Sequence, residues 1–194
     1  MYSRQVGDRE YTFGVSGRLY KSNVLLYDHQ TESLWSQLME KAISGPLAGQ
    51  KLEKIPSTRV SWQTWRKRNT DTLVLSDNTG YDRNYAIDPY KGYYRVAGVM
   101  FPVGNVRTDL PAKDRVLGIQ INQSTKAYPL KWLQTRPGTH KDQLDGEIIE
   151  IQVDSNGEVV SVRNHNGQPI VATFAYWFAW QAFHPTTQVF TSQP

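Results

Sequence analysis

The sequence predicts a mainly β protein in which antiparallel sheets and hairpins form a compact barrel- or sandwich-like domain with two or three short helices. An α+β arrangement is the alternative. Apolar and polar residues alternate over Arg115–Ile121 and Glu147–Val153, and turn-forming residues follow each run. Helical spacing is confined to short stretches. The 194 residues, 39% of them hydrophobic, can bury one core, which predicts a single domain over residues 1–194.

The first third of the chain predicts three strands and one helix. Residues 9–20 alternate and break at two glycines, as two short strands joined by a turn do, and residues 24–27 form the third strand. Thr31 or Ser33 can cap the start of a helix over residues 32–43, because a side-chain hydroxyl accepts a hydrogen bond from a free backbone N–H there.

The middle of the chain gives weaker signals. Residues 51–56 predict a short strand, and residues 72–76 are rich in β-forming side chains. Ser61 is the predicted N-cap of a helix that places Trp62 and Trp65 on one face. That spacing is more typical of a core than of a binding surface.

Residues 77–94 predict a long ordered loop. They are rich in Asp, Asn, Gly, Pro and Tyr, too polar for a core element and too aromatic for a disordered linker. Long ordered loops often carry function, so this loop is a candidate for site residues.

The last third predicts two hairpins and a helix. Residues 115–121 pair with residues 125–130, and residues 147–153 pair with residues 159–163. The apolar block of residues 174–183 favours a short buried helix, with a strand as the alternative, since the block is too short for periodicity to decide.

Composition excludes several classes of protein. The net charge is +4 with a pI near 9.2, but the basic residues are scattered, which excludes the continuous basic face of a nucleic-acid-binding protein. The chain has no cysteine and therefore no thiolate nucleophile or thiolate metal site. It also has no apolar run long enough to span a membrane.

The densest group of chemically active side chains is Asp28, His29, Gln30 and Glu32. Two carboxylates and an imidazole within one turn can act as general acid and base or bind a hard cation. In the structural alternative, Asp28 caps the following turn and Glu32 lies at a helix N-terminus. The four histidines show no paired spacing of metal ligands, and the sequence identifies neither a metal site nor a cofactor.

Two functional hypotheses follow. The first is a domain that binds a small molecule, peptide or sugar in an aromatic and acidic groove. The residues predicted to contact that ligand are Asp28, Gln30, Trp35, Gln37, Tyr85, Tyr90, Tyr93 and Lys126. The alternative is a hydrolase-like or metal-assisted enzyme that uses Asp28 and Glu32, with Lys113 or Lys126 stabilising charge.

Segments with distinctive sequences are distributed along almost the whole chain. They are residues 12–17, 27–28, 30–37, 45–49, 60–62, 72–76, 84–85, 88–90, 126–130, 178–180 and 182–185. In these segments the chain resembles a prokaryotic family, the domain of unknown function numbered 3179. The resemblance implies no reaction, because that family has no established activity. The family usually has Arg where this chain has His29, which argues against a histidine-dependent mechanism.

The resemblance also implies upstream segments that this sequence does not contain. Family members usually continue upstream, with an earlier copy of the hairpin over residues 116–130 and a segment containing paired cysteines. Either the chain is a shortened natural version or its start was chosen late. The missing piece is expected to leave a strand edge exposed, which predicts a protein that dimerises, pairs with another chain or is poorly stable. Members often carry export or membrane-anchor signals, which suits an extracytoplasmic fold, but residues 1–5 show no such signal and the compartment stays open.

Overall fold

The computed structural model describes residues 1–104 and 106–191. These residues form thirteen strands and four short helices, with 36% of the chain in strands and 13% in helices. The strands form four sheets and no closed barrel, so the fold is a sandwich-like α+β arrangement dominated by β-structure. The predicted mainly β fold is confirmed.

The elements alternate between short strands and shorter helices along the chain. The first six strands are β1 (Gln5–Val6), β2 (Arg9–Glu10), β3 (Phe13–Tyr20), β4 (Asn23–Asp28), β5 (Leu34–Ser36) and β6 (Lys41–Ser44). The helices are α1 (Trp62–Arg68), α2 (Lys91–Arg95), α3 (Leu130–Gln134) and α4 (Trp177–Phe183). The remaining strands are β7 (Arg115–Ile121), β8 (Ser124–Pro129), β9 (Gly138–Leu144), β10 (Glu147–Val153), β11 (Val159–Asn164), β12 (Ala172–Tyr176) and β13 (Gln188–Val189).

The N-terminal sheet has the strand order β3-β4-β5-β6, with every pair antiparallel. Trp35 lies at its centre, fully buried, opposite Leu26 on β4 and Ala42 on β6. The helix predicted over residues 32–43 is therefore wrong, because two strands occupy this stretch. Pairing on both sides of β5 buries Trp35, and this tertiary gain overrides the local preference for a helix.

The C-terminal half is a two-layer sandwich. One sheet has the order β12-β7-β8-β13, with β13 parallel to β8, and the other has the order β11-β10-β9. Their facing side chains, including Leu117, Ile119, Ile149 and Ile151, form the largest core cluster. Both predicted hairpins are confirmed as β7–β8 and β10–β11. The sequence did not predict β9, whose mostly polar residues pair with β10 over its whole length.

Helix α4 covers the other face of the first sheet. Trp177 and Trp180 pack there against Val116 and Ala127. The apolar block over residues 174–183 divides after Tyr176, so its first residues belong to β12 and the rest form the predicted buried helix. Both predictions for this block are thus partly right, because strand β12 leads directly into helix α4.

The segment between the two halves is largely irregular. The Ser61 hydroxyl accepts a hydrogen bond from the Thr64 N–H at 3.2 Å, which confirms the predicted N-cap of α1. Trp62 and Trp65 on α1 are about half exposed and do not belong to a core. Residues 51–56 form only isolated bridges, and residues 72–76 form no strand. Without a partner strand, β-propensity alone does not make a sheet.

Two contacts join the N-terminal sheet to α4. The Lys21 ammonium donates a hydrogen bond to the Ala182 carbonyl at 2.7 Å, and the Tyr20 ring meets Phe183 edge-on at 5.7 Å. Cations are favoured at the carbonyl end of a helix. Of the four helices in the described ranges, none combines the length and apolar character required to cross a membrane.

Gly118 permits the close contact between β7 and α4, and this contact yields a stability prediction. A Cβ at Gly118 would lie 2.4 Å from ring carbons of Trp180, which is fixed between the sheet and its neighbours. We expect Gly118→Ala to lower the free energy of unfolding by about 1–3 kcal/mol, measured by urea denaturation. Gly98→Ala is the control, because its Cβ enters open space. Equal stability of the two variants would contradict this packing.

Candidate functional site

The Asp28 carboxylate lies at the end of β4 and is fully buried. It accepts hydrogen bonds from the Thr31 N–H at 2.6 Å, the Thr31 hydroxyl at 2.9 Å and the Trp35 indole N–H at 2.8 Å. Burial raises the pKa of Asp28, but the hydrogen bonds from Trp35 and Thr31 outweigh burial and hold the pKa below its usual value. Asp28 is therefore a charged acceptor that fixes the turn between β4 and β5.

Gln30 and Trp35 belong to the same local structure. The Gln30 side-chain amide forms two hydrogen bonds with Thr12. It accepts one from the Thr12 N–H at 3.1 Å and donates one to the Thr12 hydroxyl at 3.0 Å. The Trp35 ring packs edge-on against Phe13 at 5.5 Å. Asp28, Gln30 and Trp35 thus lie together, but they hold the N-terminal sheet, and none of them lines any of the five best-formed cavities in the described part of the chain.

A cavity of about 550 Å³ lies where strand β12 meets the N-terminal sheet. Six consecutive residues, 171–176, form one wall, and residues of α4 and α2 contribute to others. Its aromatic lining residues are Tyr2, Tyr90, Tyr93, Phe101, Phe174, Tyr176 and Phe178. We call this cavity the β12 cleft.

Polar groups line the β12 cleft beside these rings. Asn23, Gln37 and Lys54 supply two amides and an ammonium group, and no Asp or Glu lines the described part of the cleft. The Asn23 side-chain oxygen is buried and accepts no hydrogen bond from any described residue. A buried acceptor without a donor is costly, so a donor from a bound molecule or from water would stabilise this wall.

Two polar side chains of the cleft wall, Lys54 and Tyr2, have partners within the protein. Lys54 pairs with Glu40 at 3.0 Å, and the Tyr2 hydroxyl donates to the backbone carbonyl of Gln37. Burial, together with the nearby Glu40 carboxylate, raises the pKa of Tyr2 to about 12. Tyr2 therefore remains a neutral hydrogen-bonding group at neutral pH.

His184 follows α4 and lies against the Trp180 ring, with ring centroids 4.0 Å apart. Burial, together with the positive charge of Lys54, lowers the pKa of His184 to about 4. The imidazole is therefore neutral at neutral pH, as expected for a packed side chain next to a cation.

Tyr93 is held by Lys113. The Lys113 ammonium lies 3.5 Å from the centre of the Tyr93 ring and donates to the Tyr93 carbonyl at 2.6 Å. A cation over an aromatic face is attracted by the ring quadrupole. The lysine therefore anchors one end of α2 beside the β12 cleft.

The eight predicted site residues lie in four places. Gln37, Tyr90 and Tyr93 line the β12 cleft, and Asp28, Gln30 and Trp35 form the buried hydrogen-bonded group that we call the Asp28 structure. Tyr85 lies on an exposed loop and shares a hydrogen bond with the Thr79 hydroxyl at 2.7 Å. Lys126 pairs with Asp142 at 2.6 Å between the two sheets of the sandwich.

Sequence reasoning missed Tyr2, Asn23, Lys54 and the β12 wall. Tyr2 and Lys54 are brought together by an isolated antiparallel bridge between segments more than fifty residues apart. Neither segment has a motif, so only the long-range pairing reveals them. Within the described ranges, no group of three or more His, Asp or Glu side chains is placed to hold a metal ion.

The Asp28 structure gives a stability prediction. We expect Asp28→Asn to lower the free energy of unfolding by about 1–3 kcal/mol, because the amide replaces an acceptor that faces buried N–H donors. Glu32→Gln, on an exposed side chain, should change it by less than about 0.5 kcal/mol. Since the folded pKa of Asp28 is lowered, its stabilisation is present above about pH 4 and is lost as the pH falls through the folded value. Urea denaturation at pH 7 measures both variants, and equal stability of Asp28→Asn and wild type contradicts the role.

His184 gives a prediction for the pH dependence of stability. The unfolded chain binds a proton at this imidazole near pH 6.5, whereas the folded chain resists protonation until about pH 4. Its contribution is therefore complete above pH 6.5 and decreases as the pH falls toward 4. We expect melting temperatures to rise between pH 4.5 and 7 in the wild type and in the exposed-site control His165→Gln, and to rise less in His184→Gln. An identical rise in all three proteins would contradict the burial of His184.

Comparison with known proteins places the chain in a family. A search of curated proteins and a search of solved structures each gave no match. A family model described as "Protein of unknown function (DUF3179)" matches residues 1–168, which is most of the chain and includes the Asp28 structure and most of the C-terminal sandwich. The resemblance expected from the sequence is confirmed. The chain belongs to this DUF3179 family.

Proposed function

We propose that this protein is a ligand-binding domain whose ligand occupies the β12 cleft. The observation that carries the proposal is the cleft itself. Its volume of about 550 Å³ lies within the range of about 300–1,000 Å³ typical of small-molecule sites. It combines aromatic walls with a few polar groups, which is the usual composition of such sites.

The polar groups indicate the chemistry of the ligand. Amides, hydroxyls and the Lys54 ammonium line the cleft, and no carboxylate lines its described part. Because Lys54 is paired with Glu40, these groups favour a ligand that forms hydrogen bonds over a cation. Peptides, sugars and small carboxylates all offer such groups, and aromatic rings pack well against their apolar faces.

The predicted site residues take different roles in this proposal. Gln37, Tyr90 and Tyr93 contact the ligand, because they line the cleft. Asp28, Gln30 and Trp35 act indirectly by holding the sheet that carries Gln37. For an enzyme that uses Asp28 as its base, the carboxylate would need access to substrate, but its oxygens are occupied by Thr31 and Trp35.

A ligand screen followed by a matched pair of tyrosine variants tests the proposal. The wild-type protein is screened by thermal shift against short peptides, sugars and small carboxylates, and dissociation constants of the hits are measured by calorimetry. We expect Tyr93→Ala to weaken a hit at least tenfold, because it removes an aromatic wall of the cleft. Tyr81→Ala should leave binding unchanged, since Tyr81 is exposed and does not line the cleft.

Melting curves of both variants without ligand show that the fold is retained. A hit that binds wild type, Tyr93→Ala and Tyr81→Ala with equal affinity would place the ligand elsewhere and contradict the proposal. The absence of any hit from all three classes would also count against it.

A further inference from the structure

Strand β12 has one free edge, and the β12 cleft borders that edge. β12 pairs with β7 alone and ends its sheet. Side chains of a strand alternate between the two faces, so a cavity on one face touches every second residue. The β12 cleft instead touches residues 171–176 without a break. This pattern shows that the cleft borders the backbone of the strand.

The free edge offers unpaired backbone groups. In an antiparallel ladder, alternate residues direct their N–H and C=O groups away from the partner strand. Within the described ranges, the backbone of Ala172–Ala175 has no hydrogen-bond partner other than β7, and Tyr176 is the N-cap of α4. An edge of this kind is a template for another extended chain, and the five residues extend for about 17 Å at the usual rise per residue.

The surroundings of the edge are basic. Lys54 lines the β12 cleft, and a neighbouring recess of about 210 Å³, shared with Phe174 and Tyr176, is lined by Arg59 and Arg115. Lys54 is paired with Glu40, and Glu158 lines a further recess that shares Arg59 and Arg115, where its carboxylate accepts a hydrogen bond from the Ser61 N–H at 2.7 Å. No described residue forms an ion pair with Arg59 or Arg115, so these two guanidinium groups carry the positive charge beside β12. This charge distribution favours an acidic partner.

The space beside β12 suits a single chain better than a sheet. Ser57 lines the β12 cleft, and Thr58 and Arg59 line the adjoining recesses. The segment over residues 56–61 thus borders the cavities along β12. A second copy that paired its own sheet with β12 would have to displace this segment, whereas one extended peptide needs only the width of a strand.

We propose that the β12 cleft binds an extended acidic peptide, which pairs with β12 as an additional strand. The inference rests on the proposed function and specifies its ligand. Main-chain hydrogen bonds to β12 supply affinity, and the aromatic walls and basic side chains select apolar and acidic residues of the peptide.

The test uses a fluorescent eight-residue peptide of alternating Val and Glu, with blocked ends, and measures binding by anisotropy. Two analogues carry N-methyl groups on the odd or on the even residues. Because strand pairing uses the N–H groups of alternate residues, we expect one analogue to bind at least tenfold more weakly and the other to bind nearly as well as the parent. Equal affinity of the two analogues overturns the proposal.

Charge is tested with a matched pair of reversals. Arg59→Glu should weaken the Val-Glu peptide at least tenfold, and Arg68→Glu, at the exposed end of α1, should leave its affinity within twofold. A peptide with Lys in place of Glu should bind more weakly than the parent. Equal binding of the two peptides, or equal effects of the two variants, contradicts an acidic partner.

Amide hydrogen exchange by NMR separates this inference from the proposed function. The bound Val-Glu peptide should protect alternate amides of Ala172–Tyr176. If sugars or small carboxylates bind the cleft and no peptide does, the strand-pairing inference fails and the ligand-binding proposal stands. Protection of β12 that rises with protein concentration in the absence of peptide assigns the edge to self-association and overturns the inference.

Discussion

The buried hydrogen bond from the Trp35 indole to the Asp28 carboxylate is the contact on which the N-terminal sheet depends. A carboxylate can be buried at low cost only when donors surround it, and here Thr31 and Trp35 provide them. The bond joins the end of β4 to the centre of β5 and fixes the turn between them. Removing the acceptor would leave the Trp35 N–H buried without a partner.

The position of the cleft follows from this sheet. Lys21 and Tyr20, at the turn from β3 to β4, bind the last turn of α4, and the same turn leads into Asn23 at the cleft wall. On the opposite side, Gly118 lets α4 pack closely on β7, and β12 continues directly into α4. The cleft is therefore the space left between the N-terminal sheet and the β12–α4 region, with a free strand edge along one wall.

Sequence patterns predicted the parts of the fold that are local. The hairpins over β7–β8 and β10–β11, the Ser61 cap and helix α4 each carry their signal within a few residues. The stretch over residues 32–43 was mispredicted as a helix because its strands depend on pairing with β4.

The candidate site shows the same division between local and long-range signals. Asp28 belongs to the densest group of polar side chains in the sequence. In the structure, its carboxylate accepts buried hydrogen bonds from Thr31 and Trp35. Tyr2 and Lys54 meet only through long-range pairing and have no motif of their own. Gln37 was predicted from the polar stretch around Asp28, and Tyr90 and Tyr93 were predicted from a long aromatic loop. Neither signal determines the distance between these two segments.

Chemical-shift mapping of the protein with its tightest-binding ligand distinguishes binding in the β12 cleft from binding at Asp28. If the β12 cleft binds the ligand and Asp28 maintains the fold, we expect large shifts for the backbone amides of Ala172–Tyr176 and Tyr93, with little change at residues 28–33. Large shifts confined to residues 28–33, with none along β12, would contradict binding in the β12 cleft.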